Sequence, residues 1–234
     1  MALLRVEGLT AGYGDTTILS DVAIAVEPGQ VVSIIGPNGA GKSTLMKTVF
    51  GLLRPTQGRV VYEDRDITGW SPDRIVRLGL CYVPQVENTF PSLTVEENLE
   101  MGAFTLRGGL RERLERVYAM FPDLARARHK PAGKLSGGQQ HMLALGLALM
   151  LSPRLVMMDE PTAGLSPKFA MSALRHVEAL RSEGVAVLLV EQNAAAALQL
   201  SDWAYVLASG QNRFADTGSA LLANPEVGSL YLGK

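Results

Sequence analysis

Val31-Val32-Ser33-Ile34-Ile35-Gly36-Pro37-Asn38-Gly39-Ala40-Gly41-Lys42-Ser43-Thr44 decides the fold of this chain. A short β-branched run is followed by the spacing G-x-x-x-x-G-K-S, and the helical run Thr44 to Leu53 comes straight after it. That order, strand then glycine loop then helix, is the context in which the spacing carries chemistry. Glycines admit backbone conformations that turn several N–H groups toward one anion, and the helix that follows adds the positive end of its dipole. Gly36, Asn38, Gly39, Ala40, Gly41, Lys42, Ser43 and Thr44 are therefore read as a phosphate cradle. In it Lys42 would reach the β- and γ-phosphates of a nucleotide and Ser43 would ligate magnesium.

Apolar runs like Val31 to Ile35 recur at Leu155 to Met158, Val185 to Val190 and Tyr205 to Ala208, with helical segments between them. Strands apolar on both faces suit a parallel sheet covered by helices, so an α/β nucleotide-binding core is expected. The opening third differs. Leu3 to Leu9, Val22 to Val26 and Arg59 to Tyr62 are strand-like and separated by turns with little helix, which predicts an antiparallel sheet flanking the parallel one. From about Thr89 to Lys134 the pattern turns helical: Thr94-Val95-Glu96-Glu97 is a capping box, and Leu110 to Met120 is apolar at helical spacing. The expected organisation is one domain over residues 1–234. Its core and antiparallel part take up about 1–88 and 152–234, with a helical insertion at about 89–151. About two dozen residues follow Gly210, and they read as a short helix and tail.

Two further stretches carry chemistry. Leu155-Val156-Met157-Met158-Asp159-Glu160 ends an apolar strand in two carboxylates, at the carboxyl end where open α/β sheets bind ligands. Asp159 would hold magnesium, directly or through water; Glu160 would accept a proton from, or orient, the water attacking a γ-phosphate. Leu135-Ser136-Gly137-Gly138-Gln139-Gln140 admits two readings. Ser-x-x-Gln before an apolar helix is a capping box in its own right. Two successive glycines weaken a helix start, however, and suit a backbone that a ligand must approach closely, with the serine hydroxyl and free N–H groups forming an anion site.

The order of the phosphate loop, Tyr82-Val83-Pro84-Gln85, Leu-Ser-Gly-Gly-Gln and Met-Asp-Glu-Pro-Thr resembles the ATP-binding subunits of ABC transporters over nearly the whole chain. The resemblance implies that Tyr13 stacks on adenine and that Gln85 senses magnesium and couples to a membrane partner. It also implies that Ser136, Gly137, Gly138 and Gln139 touch the γ-phosphate of ATP bound to an opposite subunit. Phe121-Pro122-Asp123-Leu124, Gly164-Leu165-Ser166-Pro167, Leu189-Val190-Glu191-Gln192-Asn193-Ala194 and the ending Tyr231-Leu232-Gly233 are similar to the LivF-type ATPases of branched-chain amino acid importers. Related ATPases for urea or amides share much of this pattern. The implied partners are a second ABC ATPase subunit (self or homologous), integral-membrane permeases and, indirectly, a periplasmic substrate-binding protein. The implied cofactors are ATP and Mg2+, and the implied place is the inner face of the cell membrane.

Three positions depart from the wider family pattern. Gln192 stands where most members have a switch histidine; an amide can donate to phosphate but cannot become a cation at neutral pH. Ser166 replaces a common aspartate, as in the LivF-type subgroup, and Leu147 replaces a usual arginine.

Composition narrows the alternatives. With 22 basic and 23 acidic residues intermixed, the net charge of −1 leaves no electrostatic footprint for nucleic acid, and a soluble switch on ribosomes or DNA lacks its usual tandem cassettes and basic arms. Cys81, the single cysteine, sits in an apolar run and is read as a buried thiol of a reducing compartment; His129, His141 and His176 lie too far apart in sequence to suggest zinc. The start, Met1 to Glu7, becomes charged too early for a secretion signal. The most apolar run, Met142 to Leu151, falls well short of the roughly 20 residues of a spanning helix. A cytoplasmic chain, tied to the membrane through a partner, is the expectation.

Overall fold

The computed structural model describes residues 1–85, 89–104 and 108–231. Leu232 and Gly233, which entered the family resemblance, lie outside the described residues. The strands are β1 (Leu4–Tyr13), β2 (Thr16–Val26), β3 (Val31–Ile35), β4 (Gln57–Tyr62), β5 (Arg65–Asp66), β6 (Leu80–Val83), β7 (Leu155–Asp159), β8 (Ala186–Val190), β9 (Trp203–Ala208) and β10 (Gln211–Asp216). They form two sheets, one of order β2-β1-β4-β5 and one of order β10-β9-β3-β8-β7-β6. The first is antiparallel throughout; in the second β9, β3, β8, β7 and β6 run parallel and β10 pairs antiparallel at the edge.

β3 lies at the centre of the larger sheet, and all five of its residues are buried. Its side chains alternate between two cores, as the period of two requires. Val31 and Ile35 join the cluster under the helices, and Val32 and Ile34 join the cluster shared with the antiparallel sheet. Each such side chain contributes about 1.5–3 kcal/mol by leaving water, which is why a central strand tolerates no polar face. Ser33 is the exception, and its hydroxyl is paired with that of Ser201 at 2.5 Å.

The helices are α1 (Lys42–Val49), α2 (Pro72–Val76), α3 (Val95–Gly102), α4 (Leu110–Met120), α5 (Pro122–Arg126), α6 (Gly137–Leu149), α7 (Pro167–Ser182), α8 (Ala194–Leu200), α9 (Gly218–Ala223) and α10 (Pro225–Tyr231). The Thr94 capping box is formed: Thr94 Oγ1 accepts from Glu97 N at 3.2 Å, and the Glu97 carboxylate accepts from Thr94 N at 2.7 Å. α6, the apolar run of the sequence, packs with Leu99, Val117, Phe121 and Leu124 in one cluster. Among the described residues no helix is long and apolar enough to cross a membrane.

Three regions differ from the sequence expectation. The stretch after Gly210 is not a short helix and tail: it opens with β10 and continues through α9 and α10. β10 is an edge strand whose residues are mostly exposed, so its sequence, Gln-Asn-Arg-Phe-Ala-Asp, shows no apolar run to read. β6 joins the parallel sheet beside β7 although the sequence marked its residues by Cys81 and the Tyr82-Val83 motif and not as a strand; burial pushes the Cys81 thiol up to about 12. β1 and β2 are also longer than expected, because their apolar alternation continues through Ala11 and Leu19 across register shifts.

Candidate functional site

The neighbouring strands β3, β8 and β7 end side by side, with Ile34 opposite Val190 and Val190 opposite Asp159. Three segments distant in sequence therefore leave the sheet together: Gly36–Lys42 after β3, Glu160 after β7, and Glu191–Gln192 after β8. This is the carboxyl edge at which parallel sheets collect ligands.

Gly36 must be glycine. Its φ is +152°, and a Cβ there would lie 2.0 Å from the carbonyl oxygen of Leu207 in β9. The loop is held from outside as well, since Gly210 N donates to Ala40 O at 3.1 Å and Ser20 N to Gly210 O at 2.9 Å. Lys42, only 5% exposed, places Nζ 2.8 Å from Gly36 O and 3.1 Å from Pro37 O, so its ammonium sits inside the curve of the loop. Ala40 and Thr44 are buried, whereas Asn38 and Gly39 form an exposed crest.

Ser43, in the first turn of α1, donates its hydroxyl to Asp159 Oδ1 at 3.2 Å, and Tyr82 OH donates to Asp159 Oδ2 at 3.2 Å. Burial, reinforced by the Asp159 charge, pushes the Tyr82 phenol above its ordinary value and keeps it a donor. Glu160 stands next to Asp159 in a left-handed conformation, φ +50°, and Gln85 Nε2 donates to its Oε2 at 3.3 Å. A non-glycine residue there costs on the order of 1 kcal/mol or more and is retained where the surroundings hold it. Here Glu160 N donates to Val190 O at 2.8 Å and Ala163 N to Glu160 O at 3.0 Å.

One open groove takes in Tyr13, Lys42, Ser43 and Glu160, with Tyr13 at 49% exposure on its rim. β1 ends at Tyr13, which is how the antiparallel sheet supplies a ring to a loop on the other sheet. A second groove places Gln192 beside Gly36, Pro37 and Asn38. The side chains expected around a triphosphate thus converge from five strands and one helix.

Ser136 to Gln139 stand off the phosphate loop, with Gly137 lining the neighbouring cleft beside Gln85, Asp159 and Glu160. They begin α6, and the groove around Lys42 includes none of them. Within this chain the capping reading holds: Ser136 Oγ accepts from Gln139 N at 3.4 Å, and Gln139 Oε1 accepts from Ser136 N at 3.1 Å. Ser136 and Gly137 are exposed, but Gly138 is buried, and the reason is internal. A Cβ on Gly138 would stand 2.4 Å from Cδ1 of Phe169, in the first turn of α7. The sequence suggested that these glycines let a ligand approach; for Gly138 the close neighbour is an aromatic ring of the same chain. Gly138→Ala should therefore destabilise the fold by about 1–3 kcal/mol through overpacking. Phe169→Ala in the same chain should recover most of that loss in urea denaturation, and a double variant no more stable than Gly138→Ala would contradict the explanation.

Leu147 packs across α3, with its carbonyl oxygen 2.9 Å and its Cδ2 3.1 Å from where a Cβ on Gly102 would be. An apolar contact thus occupies the place of the usual arginine charge, in a groove shared with Phe50 and Tyr82. Ser166 precedes α7 without a side-chain capping bond. His141 faces a cleft with Gln85, Asp159 and Glu160, and burial, with His176 adding to it, lowers its imidazole to about 4, so it is neutral at pH 7. Sequence reading missed Glu191. It is a carboxylate 1% exposed at the end of β8, and the one available signal was a charged residue directly after five apolar ones.

Residues 19–163 match the family model described as ABC transporter. The chain is 43% identical to the high-affinity branched-chain amino acid transport ATP-binding protein BraG of Pseudomonas aeruginosa, over 99% of this chain and 100% of that one. It is 40% identical to the probable branched-chain amino acid transport ATP-binding protein LivF of Archaeoglobus fulgidus, over 99% of each. Among solved structures it is similar to an ATP-binding cassette of an ABC transporter in its ADP conformation, with TM-score 0.88 and 32% identity over the whole of both chains. It also resembles a dimeric post-hydrolysis ATP-binding cassette bound to ADP and Pi, with TM-score 0.80 and 27% identity over 92% of this chain and 98% of that one.

Proposed function

From the premise that the chain belongs to the ABC transporter family, we propose that it is the ATP-hydrolysing subunit of an importer for branched-chain amino acids, peripheral on the cytoplasmic face of the membrane. Two cassettes pair, this chain with a copy or with a homologous subunit, and drive separate permease subunits that receive cargo from a periplasmic binding protein. The observation that carries the reading is the groove joining Tyr13, Lys42 and Glu160. It has an aromatic ring for a base, a buried cation for phosphates and a carboxylate for water in one groove. The similarity to a dimeric cassette supports pairing, and the 40–43% identity to amino acid transport subunits supports the cargo.

In this reading Tyr13 stacks on adenine. The loop amides of Gly36, Asn38, Gly39, Ala40 and Gly41, with Lys42, hold the β- and γ-phosphates, and Thr44 continues the amide series into α1. Glu160 orients the attacking water and takes its proton; Gln85, bonded to Glu160, links that carboxylate to the helical segment beyond it. Gln192 donates to the γ-phosphate from the other side. Ser136, Gly137, Gly138 and Gln139 lie apart from the loop groove of their own chain, which suits their service to ATP on the opposite cassette.

The residues present fit a magnesium ion. Ser43 Oγ and Asp159 Oδ1 stand 3.2 Å apart and both are hard oxygen donors, while Gln85 turns its Nε2 to Glu160 and keeps its amide oxygen as a third candidate ligand. A bound magnesium would neutralise charge on the β- and γ-phosphates.

Tagged chain purified from detergent-solubilised membranes should bring down two permeases and a second cassette. The ATPase of that complex should rise at least about tenfold with leucine-loaded binding protein, as expected when closure assembles the site. Recovery of the chain alone would overturn the transport reading. Stimulation by urea or an amide instead of leucine would replace the cargo.

A further inference from the structure

Glu191 is the buried charged residue that the mechanism above leaves unused. No ion pair to it is formed among the described residues, and its carboxylate is surrounded by donors instead. Oε1 accepts from Thr162 N at 3.0 Å, while Oε2 accepts from Thr162 Oγ1 at 2.8 Å and from Gln192 N at 3.2 Å. The Asn193 amide acts on it in the same sense. Burying a carboxylate without a cation costs several kcal/mol unless such donors compensate, and burial does push its carboxyl above the usual range against their pull.

What the carboxylate joins is specific. Thr162 lies in the turn that begins at Glu160, closed by Ala163 N to Glu160 O at 3.0 Å and Leu165 N to Thr162 O at 3.2 Å. Gln192 is the next residue on the other side. Among the described residues the one other hydrogen bond between the two segments is Glu160 N on Val190 O. Every donor at Glu191 needs an acceptor, and an ionised carboxylate is the one side chain that supplies acceptors alone. An amide would turn an N–H2 group toward a donor.

We propose that Glu191 is a positioning residue for ATP hydrolysis: its buried carboxylate brackets the turn carrying Glu160 to the backbone of Gln192, keeping both flanks of the γ-phosphate in register. The proposal rests on the reading of Glu160 as the water-activating carboxylate and Gln192 as the phosphate-facing amide. A bracket of this kind acts on the transition-state geometry and leaves the loop that binds the nucleotide untouched, so it predicts a loss in kcat without a matching change in KM.

The test uses the transporter complex purified through this chain, with steady-state ATPase measured against ATP concentration. Glu191→Gln should lower kcat at least about tenfold with KM within about twofold. Thr162→Val should show the same split more weakly, Thr162→Ser should restore kcat, and the double variant Glu191→Gln/Thr162→Val should be no slower than Glu191→Gln within about twofold, since both remove one bracket. A kcat for Glu191→Gln within about twofold of the parent, or losses that multiply in the double variant, would overturn the proposal. If Glu191→Gln does not assemble, Thr162→Val decides, and full kcat in that variant sinks the idea. Glu160→Gln is the control: if it still turns over, the underlying reading of the site has failed; if it is inactive while Glu191→Gln is not, only the bracket has.

Discussion

Glu160→Gln should lower the kcat of ATP hydrolysis by about 10²- to 10⁴-fold, the range general-base catalysis supplies, while ATP affinity stays close to that of the parent. The reason is local. Glu160 lines the same groove as Lys42 and bonds to Gln85, so the amide replacement keeps the shape and the partner but cannot take a proton. Binding energy resides in the loop after β3, which the substitution leaves alone. With hydrolysis blocked and binding intact, the nucleotide-bound pair of cassettes should accumulate, and size-exclusion chromatography with ATP should shift toward the dimer. Turnover within about threefold of the parent would remove Glu160 from the mechanism. Loss of ATP binding together with turnover would instead mark the residue as structural.

Lys42→Ala should abolish useful ATP binding, weakening Kd on the order of 10²-fold or more. A hydrogen bond to a charged group contributes about 1.5–3 kcal/mol, and a buried ammonium facing two phosphates makes more than one. Nζ already lies within 3.1 Å of two loop carbonyls, so the side chain needs little ordering to meet a phosphate. Lys42→Arg should rescue poorly despite its charge. The lysine is 5% exposed in a closed curve, and a planar fork is wider than a point charge. Calorimetric titration with a non-hydrolysable ATP analogue measures both variants, and thermal melting alongside separates a local loss from unfolding. An alanine variant that binds within about threefold of the parent would refute the cradle assignment.

Much of the architecture was legible because its signals are local. The strand, glycine loop and helix at Val31–Val49 form a contiguous pattern, in which β-branched residues, glycine spacing and the helical run that follows can all be read within one short segment. The capping box at Thr94 and the helix from Leu110 were readable for the same reason. β10 was not, because an edge strand in contact with water on most of its surface needs no apolar run. β6 was obscured by its length, four residues whose strand character depends on pairing with β7.

The residues of the site divide in the same way. Lys42, Ser43, Asp159 and Glu160 were singled out by the sequence alone, since each is marked by type and spacing within one short segment. Which of them touch was decided by the sheet. Placing β3, β8, β7 and β6 side by side brings Ser43 to Asp159 across 116 positions, Gln85 to Glu160 across 75 and Thr162 to Glu191 across 29. Only tertiary packing could show that Gly138 makes room for Phe169, or that Glu191 is enclosed by donors rather than by a cation. A residue's chemical capacity travels with the chain, whereas burial and partners are properties of segments that meet only on folding, and no local pattern encodes them.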